Sequence, residues 1–204
     1  MRVRRLAMLL SGLDSHPCES IEMEQYTTDG DLAARWLTDI SSFGDLAEGC
    51  MVADLGAGNG ILGLGALAMG AGRTILLEAD QAAYEVAKSN AESLGFADSV
   101  EVIQATLGSD PVDLDSADVV ISNPPWGRQT PRADRPFLEA MIAAAAPAHL
   151  MHSAEATHIE PLFEEHGWSV ERYGEADFAL PAAYSHHSRQ RGKTRAAFWR
   201  LLPP

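Results

Sequence analysis

Hydrophobic and polar positions along the chain follow two different periods, which together predict its strands and helices. Short, unbroken apolar runs indicate buried strands, whereas apolar residues spaced three or four apart indicate helices with one buried face. The predicted strands cover residues 50–55, 74–77, 100–104, 117–122, 149–152, 168–173 and 196–202. The predicted helices cover residues 1–10, 29–41, 61–69, 81–94, 136–146 and 154–166. This alternation favours an α/β fold.

The short connections between these elements predict a doubly wound, mostly parallel sheet with an antiparallel strand near the C-terminus. The 204 residues contain no internal repeat and no long linker, so we expect a single domain over residues 1–204. Within that domain, residues 1–45 form a helical N-terminal segment. Residues 46–204 form the sheet core, together with a basic C-terminal loop and strand.

Composition narrows the class of protein. The apolar share of 46% is typical of a globular chain, and no apolar run approaches the length of a membrane span. The two cysteines, Cys18 and Cys50, make neither a disulfide framework nor a metal cluster, and His158 and His166 show no partner spacing for metal ligation. We therefore expect a cytoplasmic protein without a metal ion.

Charge is distributed unevenly along the chain. The net charge is -14, yet all 29 Asp and Glu residues lie at or before Asp177. Residues 181–204 carry no acid and five basic residues: Arg189, Arg191, Lys193, Arg195 and Arg200. This asymmetry predicts one basic face on an acidic body, which would suit contact with a nucleic acid.

A turn rich in polar acceptors follows the strand predicted at residues 117–122. It contains Asn123, Pro124, Pro125 and Trp126, which the fold would place at the carboxyl end of that strand, where open parallel sheets bind ligands. The asparagine offers a carbonyl acceptor, the prolines fix an extended turn, and the tryptophan offers a flat ring. These features suit an amino group on a planar ring, although a proline turn beside a core tryptophan is the alternative.

A glycine-rich turn lies between the strand at residues 50–55 and the following helix. It contains Gly56, Gly58 and Gly60, and the spacing from Gly58 to Gly63 also matches a dinucleotide-binding pattern. Asp54 precedes this turn and would repel a pyrophosphate, so a cationic cofactor fits better. Its carboxylate would either hold the amino group of that cofactor or order the loop. Glu78, at the end of the next strand, is positioned to accept both hydroxyls of a ribose.

Taken together, these motifs resemble the class I, Rossmann-like methyltransferases that use S-adenosylmethionine and methylate amines. The segment from Glu24 to Thr28 and the segment from Phe178 to Tyr184 sharpen this resemblance. With them, residues 20–200 resemble the methyltransferase-like family that makes N6-methyladenosine in small-subunit ribosomal RNA of archaea and eukaryotes.

The resemblance implies roles for individual residues. The N-terminal segment would cover the cofactor, Asn123 and the Pro124 carbonyl would hold the target amine, and Trp126 would stack on the base. The implied cofactor contacts are Gln25, Thr28, Asp54, Gly56, Gly58, Asn59, Ile61, Glu78 and Asn123. Two departures stand out. Trp126 replaces a phenylalanine, and where the family has an acid that binds the adenine of the cofactor, this chain offers only Thr106 or the backbone, so Thr106 and Leu107 are the expected cofactor contacts there.

The resemblance also implies partners. RNA would contact two basic clusters, of which one contains Arg128, Arg132 and Arg135 and the other Arg189, Arg191 and Lys193. A small zinc-binding activator subunit would pair with the sheet edge. Other readings stay open: methylation of a release-factor glutamine or of DNA adenine, a binding or assembly protein without turnover, and a nicotinamide-dependent dehydrogenase, which would leave the asparagine-proline motif unexplained.

Overall fold

Seven strands form one sheet in the computed structural model, which describes residues 1–15, 28–179 and 193–204. The strands are β1 (Met51–Leu55), β2 (Arg73–Glu78), β3 (Val100–Gln104), β4 (Val119–Ser122), β5 (Ala148–Ser153), β6 (Ser169–Ala179) and β7 (Lys193–Leu202). Their order across the sheet is β3-β2-β1-β4-β5-β7-β6. The first five pair in parallel and β7 runs antiparallel to both of its neighbours, which confirms the predicted fold class.

Helices cover both faces of this sheet. They are α1 (Val3–Leu10), α2 (Gly30–Ser42), α3 (Ile61–Met69), α4 (Gln81–Ser93), α5 (Arg135–Ala144) and α6 (Ile159–Glu165), with a short 3-10 helix at Ala97–Ser99. On β1, Val52 joins the core beneath α1 to α4, whereas Ala53 and Leu55 join the core beneath α5 and α6. Successive side chains therefore enter opposite cores, as expected of strands buried on both faces.

Two acidic side chains fix where helices begin. The Asp29 carboxylate accepts a hydrogen bond from the Leu32 amide at 2.8 Å, and the Asp80 carboxylate accepts one from the Ala83 amide at 2.8 Å. Such caps satisfy amide groups that have no partner inside the first helical turn. Asp29 and Asp80 are therefore the N-terminal caps of α2 and α4. Among the described residues, we find no helix that combines the length and apolarity of a membrane span.

The C-terminal elements differ from the sequence prediction. Helix α6 begins at Ile159, because residues 154–158 form a turn in which the Ala154 amide donates to the Arg195 carbonyl at 2.9 Å. Strand β6 runs on to Ala179 instead of ending at residue 173 and pairs with β7 from Ser169 to Ala179, with one register shift between Arg172 and Gly174. Because β6 is an edge strand with polar residues on its solvated face, it shows no unbroken apolar run.

Candidate functional site

The carboxyl ends of three neighbouring strands meet at one edge of the sheet, which we call the carboxyl rim. Leu55 of β1 is in register with Leu77 of β2 on one side and with Ser122 of β4 on the other. The Ser122 hydroxyl also donates to the Leu55 carbonyl at 2.7 Å. The residues that follow these strand ends, among them Glu78 and Asn123, therefore share the rim where open parallel sheets bind ligands.

The glycine turn, residues 56–60, passes from β1 into α3 at this rim. Gly56, Gly58 and Gly60 all have positive φ angles, of 73°, 56° and 84°, which side chains other than glycine adopt only at a cost. The Gly56 amide donates to the Leu77 carbonyl at 2.9 Å and so ties the turn to β2. Gly60 is the N-terminal cap of α3, in agreement with the helix predicted to begin at residue 61. The turn presents its backbone to the rim.

Glu78 is fixed by the glycine turn. The residue is 8% exposed, and one carboxylate oxygen accepts from the Gly58 amide at 2.7 Å while the other accepts from the Asp80 amide at 2.9 Å. Each carboxylate oxygen keeps capacity for a further hydrogen bond. Glu78 is thus an oriented acceptor at the rim rather than a solvated loop acid, and this geometry suits two neighbouring hydroxyl groups.

Asp54 lies beneath the turn. It is fully buried, and its Oδ2 accepts from the Gly63 amide at 2.8 Å, while Oδ1 has no hydrogen-bond partner in the described part of the chain. Burial raises the pKa of Asp54 to about 7. The hydrogen bond from the Gly63 amide works against this rise, and the charge of Glu78 adds to it. A Cβ atom on Gly63 would stand 2.2 Å from Leu76 Cδ2, so this glycine lets α3 approach β2 closely. The arrangement favours the loop-ordering role for Asp54.

Asn123 is held in a single orientation by two hydrogen bonds. Its side-chain amide donates to the Thr28 hydroxyl at 3.1 Å, and its Oδ1 accepts from the Trp126 indole nitrogen at 3.1 Å. An amide oxygen has two lone pairs, so Oδ1 can accept one more proton. The structure therefore brings Thr28, from the N-terminal segment, into contact with the turn at residues 123–126, which we call the acceptor turn. In that turn Pro124 is buried and Pro125 is half-buried.

Trp126 packs into the protein. It is 6% exposed, its ring centroid lies 4.9 Å from that of Phe178 and 5.9 Å from that of His152, and the Arg128 guanidinium lies 5.8 Å from its centroid. It belongs to the same core as the residues beneath α1 to α4, which is the alternative that the sequence left open. Little of the ring is accessible, and stacking of Trp126 on a base stays a prediction.

Four of the remaining predicted cofactor residues are described by the structure, two beside the glycine turn and two after β3. The Asn59 amide donates to the Asp14 carbonyl at 3.0 Å, so its side chain anchors the N-terminal segment beside the glycine turn, and Ile61 is buried. Thr106 is exposed, and its backbone amide donates to Asp110 Oδ2 at 2.7 Å, while Leu107 is half-buried against the core. Gln25 lies outside the described residues.

The first basic cluster follows the acceptor turn in the sequence. A guanidinium nitrogen of Arg128 donates to the Thr194 hydroxyl of β7 at 2.6 Å, and Arg135 pairs with Glu139 at 2.7 Å. Arg132 is exposed and has a φ of 64°. Arg135 is thus paired with an acid, whereas Arg128 and Arg132 are exposed cations close in sequence to the predicted amine-holding residues.

The C-terminal strand carries fewer unneutralised cations than its sequence suggests. Arg200 forms two hydrogen bonds with Asp45, at 2.7 and 2.9 Å, and Arg195 pairs with Glu175 at 2.6 Å. Arg189 and Arg191 lie outside the described residues, and only the backbone of Lys193 is described. The prediction of a basic face is therefore wrong for Arg195 and Arg200. Both are paired with acids, because β7 lies next to acidic residues from neighbouring segments.

The structure also reveals a cluster that the sequence did not. His158, expected to be without partners, lies 2.5 Å from Asp134 through its Nε2, and His152 Nε2 lies 3.2 Å from the same carboxylate oxygen. Burial alone would raise the pKa of Asp134, but the two histidines outweigh it and lower that pKa. Strand order is the signal that would have found this cluster, since β5 borders β4 and so carries His152 to the acceptor turn.

Comparisons with known proteins agree with this geometry. The family model of the methyltransferase small domain matches residues 31–157, and the chain belongs to that family. This confirms the methyltransferase resemblance. The chain is 32% identical to an uncharacterized protein of Methanocaldococcus jannaschii, over 93% of this chain and 89% of that protein.

Two further relatives carry more specific names. The rRNA N(6)-adenosine-methyltransferase METTL5 of Danio rerio is 28% identical over the full length of both chains. Among solved structures, a protein of Pyrococcus horikoshii described as a candidate RNA methyltransferase superposes with a TM-score of 0.88 and 32% identity, covering 100% of this chain and 98% of its own.

Proposed function

We propose that this methyltransferase transfers a methyl group from S-adenosylmethionine to the exocyclic N6 amine of an adenosine in RNA, with small-subunit ribosomal RNA as the substrate. The carrying observation is the position of Asn123, an oriented amide acceptor that shares one rim with the glycine turn and Glu78. The full-length relatives named as rRNA N6-adenosine methyltransferases support the choice of acceptor.

The residues at the donor side of the rim fit S-adenosylmethionine. Glu78 is a buried carboxylate whose two oxygens are oriented by amides, as ribose hydroxyls require, and the glycine turn lets a ligand approach its backbone. Thr28, Gly56 and Gly58 would line the same space, with Gln25 closing over it. When bound, the cofactor supplies an electrophilic methyl group on a positively charged sulfur. Once the methyl group is transferred, the sulfur is left as a neutral thioether.

The chain's own residues then act by positioning. Asn123 Oδ1 and the Pro124 carbonyl accept the two protons of the target amine, which directs the nitrogen lone pair toward the methyl donor. The same acceptors stabilise the positive charge that develops on the nitrogen. Because Thr28 and Trp126 already hold the asparagine, its reorientation adds little to the barrier. No strong base is needed before the methyl group moves, and the proton leaves the product amine afterwards.

RNA would approach this rim past Arg128 and Arg132. Both are exposed, whereas the described cations Arg135, Arg195 and Arg200 have acidic partners. Each phosphate contact contributes to the salt dependence of binding, so replacing Arg128 by Ala should reduce the slope of affinity against salt by about one unit. We include Arg189, Arg191 and Lys193 in the proposed surface. If alanine variants of these residues leave the salt dependence of RNA affinity unchanged, the residues do not belong to the RNA-binding surface.

The proposal extends to a partner and a place of action. A small zinc-binding activator subunit would pair with the sheet edge, and the complex would act in the cytoplasm. Co-expression tests this directly. We expect the chain alone to aggregate and the co-expressed pair to elute as one 1:1 complex, whereas a stable and active monomer would remove the activator from the proposal.

The identity of the methylated group is tested with isotopically labelled S-adenosylmethionine. The purified chain, or its co-expressed pair with the activator where the chain alone aggregates, is incubated separately with small ribosomal subunits, with release factor and with duplex DNA. Each product is then digested and analysed by mass spectrometry. We expect label in N6-methyladenosine from ribosomal RNA. Label in a glutamine side chain or in DNA adenine would instead establish one of the competing substrates, and Asn123→Ala serves as the control for background transfer.

A further inference from the structure

Three segments converge beside the acceptor turn on a cluster of potential ligands. Asp134 precedes α5, His152 lies near the end of β5, and His158 precedes α6. The Asp134 Oδ2 atom lies 2.5 Å from His158 Nε2 and 3.2 Å from His152 Nε2, and one ligand atom from each residue lies within 4.8 Å of the other two. The cluster thus combines two imidazoles and one carboxylate around a single point.

The buried members of this cluster are poorly satisfied by the fold itself. His152 is 1% exposed, and in the described part of the chain its Nδ1 has no hydrogen-bond partner, while its Nε2 has only the 3.2 Å contact with the Asp134 carboxylate. Leaving a buried polar atom unpaired is costly, so such atoms usually have a function or a ligand. The Asp134 side chain is 6% exposed and makes no capping hydrogen bond to α5. Both groups are therefore directed at one another and at His158 rather than at the backbone.

We propose that Asp134, His152 and His158 bind one divalent transition-metal ion. Two imidazole nitrogens and a carboxylate oxygen form a ligand set that zinc and related ions favour, with bonds of about 2.0–2.2 Å. Such bonds separate tetrahedral ligands by roughly 3.4 Å, and the observed separations, from 2.5 to at most 4.8 Å, bracket that value. Small side-chain rotations would complete the site.

The surroundings leave room for a fourth ligand. A cavity of about 290 Å³ adjoins the two histidines and is also lined by Trp126, Arg128 and Ser153. A water molecule in this cavity would complete a four-coordinate site. The His152 ring stacks on Trp126 at 5.9 Å, and the Trp126 indole donates to Asn123, so the ion would fix the acceptor turn against β5. The proposed site does not depend on which substrate the enzyme methylates.

The test measures metal binding by the full chain without an affinity tag. After EDTA treatment and dialysis, zinc is titrated by calorimetry, and Co²⁺ is used in parallel for its visible absorption. We expect one ion per chain and the intense absorption bands of tetrahedral Co²⁺. In His158→Ala, zinc affinity should fall roughly 100-fold or more, since loss of a supporting residue alone costs 10- to 100-fold. His158 is half-exposed, so its replacement should leave the fold intact.

His166→Ala is the matched control, because His166 is an exposed histidine outside the cluster. It should keep the zinc affinity and the Co²⁺ spectrum of the parent chain. Asp134→Asn, with its fold checked by circular dichroism, provides a second variant that should lose binding. The proposal is overturned if the parent chain binds no zinc at micromolar concentration. It is also overturned if His158→Ala binds zinc as tightly as the parent, since the ion would then lie elsewhere in the chain.

Discussion

The two sides of the carboxyl rim are built in different ways. On the donor side, Asp54, the glycine turn and Glu78 lie within one strand-helix-strand unit and hold one another through backbone amides. On the acceptor side, Asn123 depends on Thr28, which is 95 residues away in the chain, and Trp126 packs on Phe178 and His152 from β6 and β5.

This difference has a functional consequence. The donor side is stabilised by local hydrogen bonds and should keep its shape when distant parts of the chain change. The acceptor side is assembled from remote segments, so its geometry depends on their packing. Substitutions on the two sides should therefore separate cofactor binding from methyl transfer.

The largest effect is expected on the acceptor side. Asn123→Ala removes one acceptor for the amine protons, together with the partner of Thr28 and Trp126. We expect single-turnover methyl transfer to fall roughly 1000-fold or more, because a preoriented polar group of this kind contributes about that factor. Cofactor affinity by calorimetry should change far less, within about threefold, because Asn123 is only one of several implied cofactor contacts and the others stay in place. An equal loss of both quantities would contradict the division of the rim into two sides.

The next largest effect concerns stability on the donor side. The pKa of Asp54 is about 7 in the folded chain and 3.8 when unperturbed, so the folded state binds this proton more tightly. The free energy of unfolding should therefore fall as the pH rises from about 4 to about 7, by roughly 4 kcal/mol in total from this group. Asp54→Asn mimics the protonated form and should remove that contribution.

Urea unfolding of the parent chain and of Asp54→Asn at several pH values checks this prediction. The two chains should have similar stability near pH 4, and the variant should be the more stable one above pH 7. Asp98→Asn replaces an exposed carboxyl group and should follow the parent chain. Parallel curves for the parent and Asp54→Asn would show that the buried carboxyl group does not titrate in this range.

A smaller effect is expected for the ribose contact. Glu78→Gln removes the charge and leaves one side-chain oxygen where two now accept the Gly58 and Asp80 amides. We expect cofactor affinity to fall roughly 10- to 100-fold, since hydrogen bonds to charged groups contribute about 1.5–3 kcal/mol each. The transfer rate at saturating cofactor should change little. Glu85→Gln, at an exposed position on α4, is the control and should bind the cofactor normally.

The smallest effect concerns the indole hydrogen bond. Trp126→Phe keeps an aromatic ring in the core but removes the donor to Asn123 Oδ1. The transfer rate should fall roughly 2- to 10-fold, which corresponds to about 0.5–1.5 kcal/mol for one hydrogen bond. Trp168→Phe changes a buried tryptophan outside the site. If both variants lose the same activity, general destabilisation rather than the orientation of Asn123 is the cause.

The donor side and the parallel strands could be predicted because their signals are local. The glycine turn, Glu78 and the cap at Asp80 each lie next to the strand or helix that they shape. The acceptor side could be predicted only in part. Asn123 follows its strand directly, but the burial of Trp126 and the approach of His152 depend on the order of β4, β5, β7 and β6 across the sheet.

Pairing between distant charges was equally hidden from the sequence. Arg200 appeared to be part of a basic tail, yet both of its hydrogen bonds reach Asp45, 155 residues away. The Asp134, His152 and His158 cluster has no regular spacing, because three separate elements supply its members. The composition gives the number of charged residues, but the fold determines which of these residues pair with one another and which can bind a ligand.

A crystal structure of the chain with S-adenosylhomocysteine and adenosine monophosphate would test the central claim most directly. We predict that the ribose hydroxyls of the cofactor product lie within hydrogen-bonding distance of the Glu78 carboxylate, and that the adenosine amine lies within hydrogen-bonding distance of Asn123 Oδ1, facing the cofactor sulfur. A cofactor bound away from Glu78, or an adenine amine directed away from Asn123, would contradict the account.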